Sequence, residues 1–226
     1  SLYLRPFMIA TEVGLGVRPS NKALFAVIAT PAAAYFNSAK AVTVWISLEY
    51  VRAVLGGTGE AKCGGNYAAS LLAQQEAAKE GCDQVVWLDA KERFWVEEMG
   101  GMNLYFVKGR GKDATIFTPK LTGTLLHGIT RDSILSVAKD LGYKVEEGMI
   151  SIDQWRDGVA SGEISEIFAC GTAAVIAPVG SAKSKYGTWV TGDGNPGQIT
   201  MEIRNHLLGI QHGTIPDKHG WMKRVI

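Results

Sequence analysis

The run Lys62-Cys63-Gly64-Gly65-Asn66-Tyr67 sets a primary amine directly ahead of two glycines and the start of a helical stretch. Glycines keep side chains sparse where a bulky ligand must approach the backbone, and an amine there can condense with an aldehyde to form a Schiff base. A lone lysine is more often a solvated surface charge. Three further segments supply what a phosphorylated pyridine aldehyde would need. In Glu97-Glu98-Met99-Gly100-Gly101-Met102-Asn103, strand geometry sends neighbouring acids to opposite faces, so only one of the pair is expected to point inward. A carboxylate beside a pyridine nitrogen keeps that nitrogen protonated and makes the ring an electron sink. In Leu125-Leu126-His127-Gly128-Ile129-Thr130-Arg131 a glycine precedes an amphipathic helix, whose first amides and dipole attract phosphate. The segment Cys170-Gly171-Thr172-Ala173-Ala174 offers a hydroxyl and turn amides to a phosphate or a carboxylate. Each segment alone also has a plain reading, as a surface acid pair, a loop-to-helix junction and a turn.

Other chemistries find less support. Gly56-Gly57-Thr58-Gly59-Glu60-Ala61-Lys62 lacks the Gly-Lys-Ser/Thr of a P-loop, and Lys62 stands where a dinucleotide fingerprint needs its third glycine. His127, His206, His212 and His219 form no HExxH pattern, so no catalytic metal is expected. With 226 residues, 46% of them hydrophobic, the chain can bury a large core. A formal net charge of +1 lacks the basic excess that nucleic acid or an anionic membrane would require. Cys63, Cys82 and Cys170 are an odd number without metal spacing, which fits a reducing cytoplasm. The longest apolar stretch, 23–36, contains Pro31 and is too short to span a membrane, and no targeting signal is seen. Ser1 has no preceding Met, so the natural protein is expected to begin further upstream.

Residue patterns give the elements that must position these groups. Strand-like runs occupy 2–9, 23–29, 42–48, 84–88, 104–107, 114–117, 164–169 and 174–177. A helix is expected over 66–80 with Gly81 as its stop, and another over 131–141 with Ile134, Leu135, Ala138 and Leu141 on one face. Ile199, Ile203, Leu207 and Ile210 mark a third. Strands and helices alternate too irregularly for a doubly wound sheet. The expectation is therefore a single α/β domain over 1–226, mixed α+β in character, with a barrel-like mixed sheet and flanking helices.

Taken together, Leu2-Tyr3-Leu4-Arg5-Pro6, Glu12-Val13-Gly14-Leu15-Gly16-Val17, the Lys62 run, Glu98-Met99-Gly100-Gly101-Met102-Asn103, Gly128-Ile129-Thr130-Arg131 and Cys170-Gly171-Thr172-Ala173 resemble the branched-chain amino acid aminotransferases, fold-type IV pyridoxal phosphate enzymes. The resemblance covers essentially the whole chain, in order, but only the family's large C-terminal domain. It implies a D-amino acid aminotransferase-like fold, pyridoxal 5'-phosphate as cofactor, a homodimer, and transamination of leucine, isoleucine or valine with 2-oxoglutarate. It makes Lys62 the catalytic Schiff-base residue, which should sit in a partly desolvated pocket. Tyr67 falls near the cofactor ring oxygen, Glu98 at the pyridinium nitrogen and Leu126 against the ring. Phosphate contacts fall to the backbone of Ile129 and Thr130 and to Thr172, with Arg52 nearby. Thr172 and Ala173 would meet the substrate carboxylate, Tyr3 and Arg5 would lie near the substrate mouth, and Gly101 would line the pocket.

Two departures from the family pattern bear on this. Gly101 stands where some relatives carry Thr, which should widen the pocket, and Ala174 and Ala177 replace the thiol pair of vertebrate members. The resemblance also implies a small N-terminal domain, contributing a phosphate-binding arginine, that these residues do not include, so this chain alone is expected to bind cofactor weakly or fail to turn over. A D-amino acid aminotransferase, an aminodeoxychorismate lyase and a truncated, non-catalytic cofactor-binding fragment are the competing readings; the Leu-Tyr-Leu-Arg-Pro opening favours branched-chain substrates.

Overall fold

Two units make up the computed structural model, Ser1–Tyr35 and Phe36–Ile226, and it describes residues 2–32 and 40–224. In the first unit β1 (Leu2–Ala10) and β2 (Ala23–Pro31) pair antiparallel, Leu2 opposite Pro31 and Ala10 opposite Ala23. The connection between them is fastened by Glu12, which accepts from Arg18 Nη2 at 2.8 Å and from the Asn21 amide at 2.7 Å. These strands answer the runs at 2–9 and 23–29; the end of the apolar stretch 23–36 lies outside the described residues.

The second unit carries a sheet of nine strands among the described residues. They are β3 (Val42–Ile46), β4 (Gln84–Leu88), β5 (Val96–Met99), β6 (Met102–Lys108), β7 (Thr115–Pro119), β8 (Lys144–Gly148), β9 (Ile164–Gly171), β10 (Val175–Ser184) and β11 (Gly187–Val190). Strand β3 runs parallel to β4 and to β10, and β7 parallel to β8; the other pairs are antiparallel. Because β9 pairs with both β6 and β10, the strands β10-β3-β4-β5-β6-β9 return on themselves as a closed ring, with β7, β8 and β11 as extensions. The barrel-like mixed sheet expected from the sequence is what forms.

Alternating side chains sort themselves onto the two faces of that ring. Val44, Val86, Leu104, Phe106, Ile167 and Ala169 belong to one core, plugged by Trp155. Their strand neighbours Tyr105, Val107, Phe168 and Cys170 belong to a second core, covered by α3 (Ile129–Asp140) and α5 (Gln198–Gln211) through Ile134, Val137, Ile203 and Leu207. Strands buried on both faces read as unbroken apolar runs, which is why β6 and β9 stand out in the sequence.

Several elements differ from the sequence expectation. The single helix over 66–80 is two, α1 (Gly64–Ala68) and α2 (Leu71–Lys79), parted where the Ser70 hydroxyl bonds back to the Tyr67 carbonyl at 2.6 Å and competes with the helical ladder. Helix α4 (Ile152–Ser161) is unanticipated, although Ser151 and Gln154 form a reciprocal capping box and Gly162 stops it at φ +80. Strand β8, Lys-Val-Glu-Glu-Gly, has one strongly apolar residue and escapes a pattern search. Among the described residues no helix is long and apolar enough to cross a membrane. Losing the reciprocal cap in Ser151→Ala should lower stability by about 1 kcal/mol, read as a lower urea midpoint at unchanged slope; an unmoved midpoint would remove the cap from the account of α4.

Candidate functional site

The β5–β6 hairpin sets the register of the site. Met99 faces Met102 across the two-residue turn Gly100-Gly101, and Gly100 sits at φ +58, a conformation side chains rarely adopt. That turn brings Glu98 opposite Asn103, and the β6–β9 register brings Asn103 opposite Cys170. An acid, an amide and the start of the 171–175 turn thus form one row across three neighbouring strands.

Glu98 is 1% exposed. Its Oε2 lies 3.1 Å from Arg52 Nε, and its Oε1 accepts from the Leu126 amide at 2.7 Å and from Asn103 Nδ2 at 3.3 Å. Burial outweighs these partners and pushes the carboxyl up to about 7, against the lowering pull of Arg52, the Leu126 amide and the Lys62 amine. Glu97 is also buried, which corrects the expectation that only one acid points inward. The two do leave β5 on opposite faces, but both faces are covered, and Glu97 accepts from the Thr124 hydroxyl at 2.5 Å. Burial raises its pKa as well.

Segment 122–127 is thereby held from several directions. Asn103 Nδ2 donates to the Leu126 carbonyl at 3.1 Å, and Arg52 Nη1 to the Thr124 carbonyl at 2.7 Å. Arg52 Nη2 reaches the Gly59 carbonyl at 3.1 Å, so one guanidinium joins the segment leading to Lys62 with the segment leading to α3. Gly59 lies so close that a Cβ there would stand 2.4 Å from the Thr124 carbonyl oxygen. Asn66 braces the Lys62 segment, donating to the carbonyls of Thr58 at 2.7 Å and Ala61 at 2.9 Å.

Lys62 is exposed, contrary to the partly desolvated setting expected of it. Its Nζ stands 5.7 Å from the centroid of the Tyr67 ring, and a Cβ on Gly101 would lie 3.4 Å from Tyr67 Cε1, so the phenol is bracketed by the amine and the hairpin turn. Side chains added at Gly64 or Gly65 would meet nothing within 4 Å, which leaves open space beside the lysine. Helix α3 begins at Gly128 with no side-chain cap, so the amides of Ile129 and Thr130 keep their anion-attracting end uncovered. A Cβ at Gly128 would fall 2.3 Å from Asn103 Oδ1, and Tyr105 pins the first turn by donating to the Arg131 carbonyl at 2.7 Å.

Leu126 is half-buried, and Thr172 and Ala173 are exposed on their turn, which ends at Val175 with φ +57, an uncommon backbone for a β-branched residue. Tyr3 and Arg5 belong to the first unit, where the Arg5 guanidinium lies 5.0 Å from the Tyr3 ring centroid. Arg52, expected near a phosphate, commits all three of its nitrogens to Glu98 and two backbone carbonyls. Asn103, Thr124, Gly59 and Asn66 received no role from the sequence. For Asn103 a signal existed, since a two-residue Gly-Gly turn fixes which residue faces Glu98. Among the described residues no group of three or more side chains is arranged to hold a metal ion.

A family model described as amino-transferase class IV matches residues 1–182. A "Branched-chain-amino-acid aminotransferase" of Mycolicibacterium smegmatis is 62% identical over 226 residues, all of this chain, which spans 61% of that relative's length. Among solved structures, the branched-chain amino acid aminotransferase of Escherichia coli superposes with a TM-score of 0.83 at 33% identity, covering 100% of this chain and 70% of that one. The T.th. branched-chain amino acid aminotransferase complexed with N-(5'-phosphopyridoxyl)-L-glutamate gives 0.84 at 33% identity, covering 100% and 69%.

Folding raises the Glu98 pKa from an ordinary 4.5 to about 7, so the folded protein holds that proton more tightly than the unfolded chain. Its effect on stability is therefore best below pH 4.5 and worsens as pH rises through about 7. Between pH 5 and pH 8 the ligand-free protein should lose on the order of 2–3 kcal/mol relative to Glu98→Gln, measured by urea unfolding. Parallel pH dependences for the two proteins would sink this.

Proposed function

Because this chain belongs to the class IV amino-transferases, we propose that residues 1–226 form the cofactor-bearing large domain of an enzyme that moves the amino group of leucine, isoleucine or valine to 2-oxoglutarate, with pyridoxal 5'-phosphate held at Lys62. The observation that carries the reading is a buried carboxylate, Glu98, with less positive charge around it than its burial demands, within electrostatic reach of a lysine amine. The residues fit the cofactor on three counts. Glu98 would gain a cation in a protonated ring nitrogen, which lowers its pKa again. The uncapped start of α3 suits a phosphate, and the open space at Gly64 and Gly65 admits a ring.

When bound, the cofactor supplies an electron sink that lets an attached amino acid lose its α-proton. The chain's own groups divide the remaining work. Lys62 Nζ would hold the aldehyde carbon covalently and, once released, carry the proton between the substrate α-carbon and that carbon. Glu98 would keep the ring nitrogen protonated, and Leu126 and Tyr67 would confine the ring. Ile129 and Thr130 amides with the Thr172 hydroxyl would take the phosphate, and the Thr172-Ala173 turn the substrate carboxylate. Gly101, with no side chain beside Tyr67, leaves width for a branched side chain. A homodimeric, cytoplasmic enzyme belongs to the same proposal, in keeping with three free cysteines.

Purified protein given the cofactor should turn yellow, and borohydride should fix the label on the peptide that carries Lys62. Lys62→Ala should lose both the fixed label and amino transfer from leucine; a label that persists in that variant refutes the assignment. Transfer from D-alanine, or pyruvate release from aminodeoxychorismate, in place of leucine turnover would replace the substrate class.

A further inference from the structure

Arg52 is 9% exposed, and its guanidinium is spread over three acceptors lying in different directions. Nε meets Glu98 Oε2 at 3.1 Å, Nη1 the Thr124 carbonyl at 2.7 Å and Nη2 the Gly59 carbonyl at 3.1 Å. A planar fork reaches three separated acceptors from three different nitrogens, whereas a lysine ammonium donates from a single point on a flexible stem. Each of the three nitrogens is thus turned toward a protein acceptor.

Building on the transaminase reading, we infer that Arg52 is a positioning residue that acts through Glu98: it draws the carboxylate toward its charged form at the position proposed for the ring nitrogen, and clamps the Lys62 segment to the segment that leads into α3.

The surroundings of Glu98 show why such a partner is needed. Lys62 is the other cation acting on it, and that residue is exposed. Glu97, its neighbour on β5, opposes ionisation. Cys170, across β6, is buried with its thiol pushed far up and stays neutral. The Leu126 amide and Asn103 give hydrogen bonds but no charge. Removing Arg52 therefore leaves, among the described residues that act on Glu98, the exposed Lys62 amine as its cation, and burial then holds the proton to a still higher pH. A neutral acid cannot serve as the charge partner of a pyridinium.

The test is a double-mutant cycle on the full protein with Arg52→Gln, Glu98→Gln and both together, and Arg52→Lys as the conservative variant. Each is titrated with pyridoxal phosphate and with pyridoxal, from pH 6 to 9, by visible absorption. Arg52→Gln should weaken both ligands by the same factor, about tenfold or more at pH 7, and raise the pH of half-maximal binding by about one unit or more. In the Glu98→Gln background the same substitution should move that pH by less than about 0.3 unit. Arg52→Lys, which keeps the charge and loses the fork, should show little of that pH shift while lowering the urea midpoint.

Weakening of pyridoxal phosphate alone would make Arg52 a phosphate ligand and overturn the inference. Equal pH shifts with and without the Glu98 carboxylate would overturn it too, by showing a role independent of that acid. A wild-type protein that forms no coloured adduct overturns the parent reading instead, and is told apart from these outcomes at the first titration.

Discussion

A carboxylate and a guanidinium in contact beneath the surface, Glu98 with Arg52, is the interaction around which this unit is arranged. Taking two charges out of water costs several kcal/mol per ion, and their mutual attraction returns that only with good geometry and additional hydrogen bonds. Here the geometry is supplied from four places: β5, the hairpin partner Asn103, the Leu126 amide and the segment carrying Arg52. Even so, burial prevails and the acid holds its proton to an unusually high pH. A pair that gained stability by itself would need no such array. On the proposed function, the arrangement makes sense as a reserve of acidity, which a cationic ring would draw into its charged form.

Ring closure by β9 is what places that reserve. Were β9 paired only with β10, Asn103 and the Thr172 turn would have no fixed relation. Because β9 also pairs with β6, two registers meet at Asn103 and determine the distance from Glu98 to the turn. Helix α3 is drawn to the same end by Tyr105 on β6 and by Gly128 against Asn103. One strand therefore organises the acid, the helix start and the turn, each through a different residue.

Much of this was legible in the sequence. Core strands such as β4, β6 and β9 announce themselves because both faces are buried, and the stripe of α5 shows at helical spacing. The Lys62 run, Glu98 and the start of α3 are recognisable as motifs because glycine marks each of them. What escaped depends on neighbours distant in the chain. Strand β8 is largely charged and owes its place to β7. Glu97 looks like a surface acid until β5 is seen to be covered on both faces. Arg52 reads as a generic cation near a phosphate, because nothing local reveals that Glu98, Gly59 and Thr124 converge on it. The break between α1 and α2 turned on a single serine hydroxyl that composition does not weigh.

The ring also governs when the protein can become itself. Val42 on β3 pairs with Val179 on β10, and β6 finds its β9 edge only after residues 164–171 exist. During synthesis β3 to β6 must wait with open edges until β9 and β10 have emerged, and contacts so distant in sequence form slowly. Protein caught at that stage would offer apolar, unpaired strands to its neighbours. Yield of soluble material in the cell should therefore be governed less by equilibrium stability than by how quickly the late strands arrive.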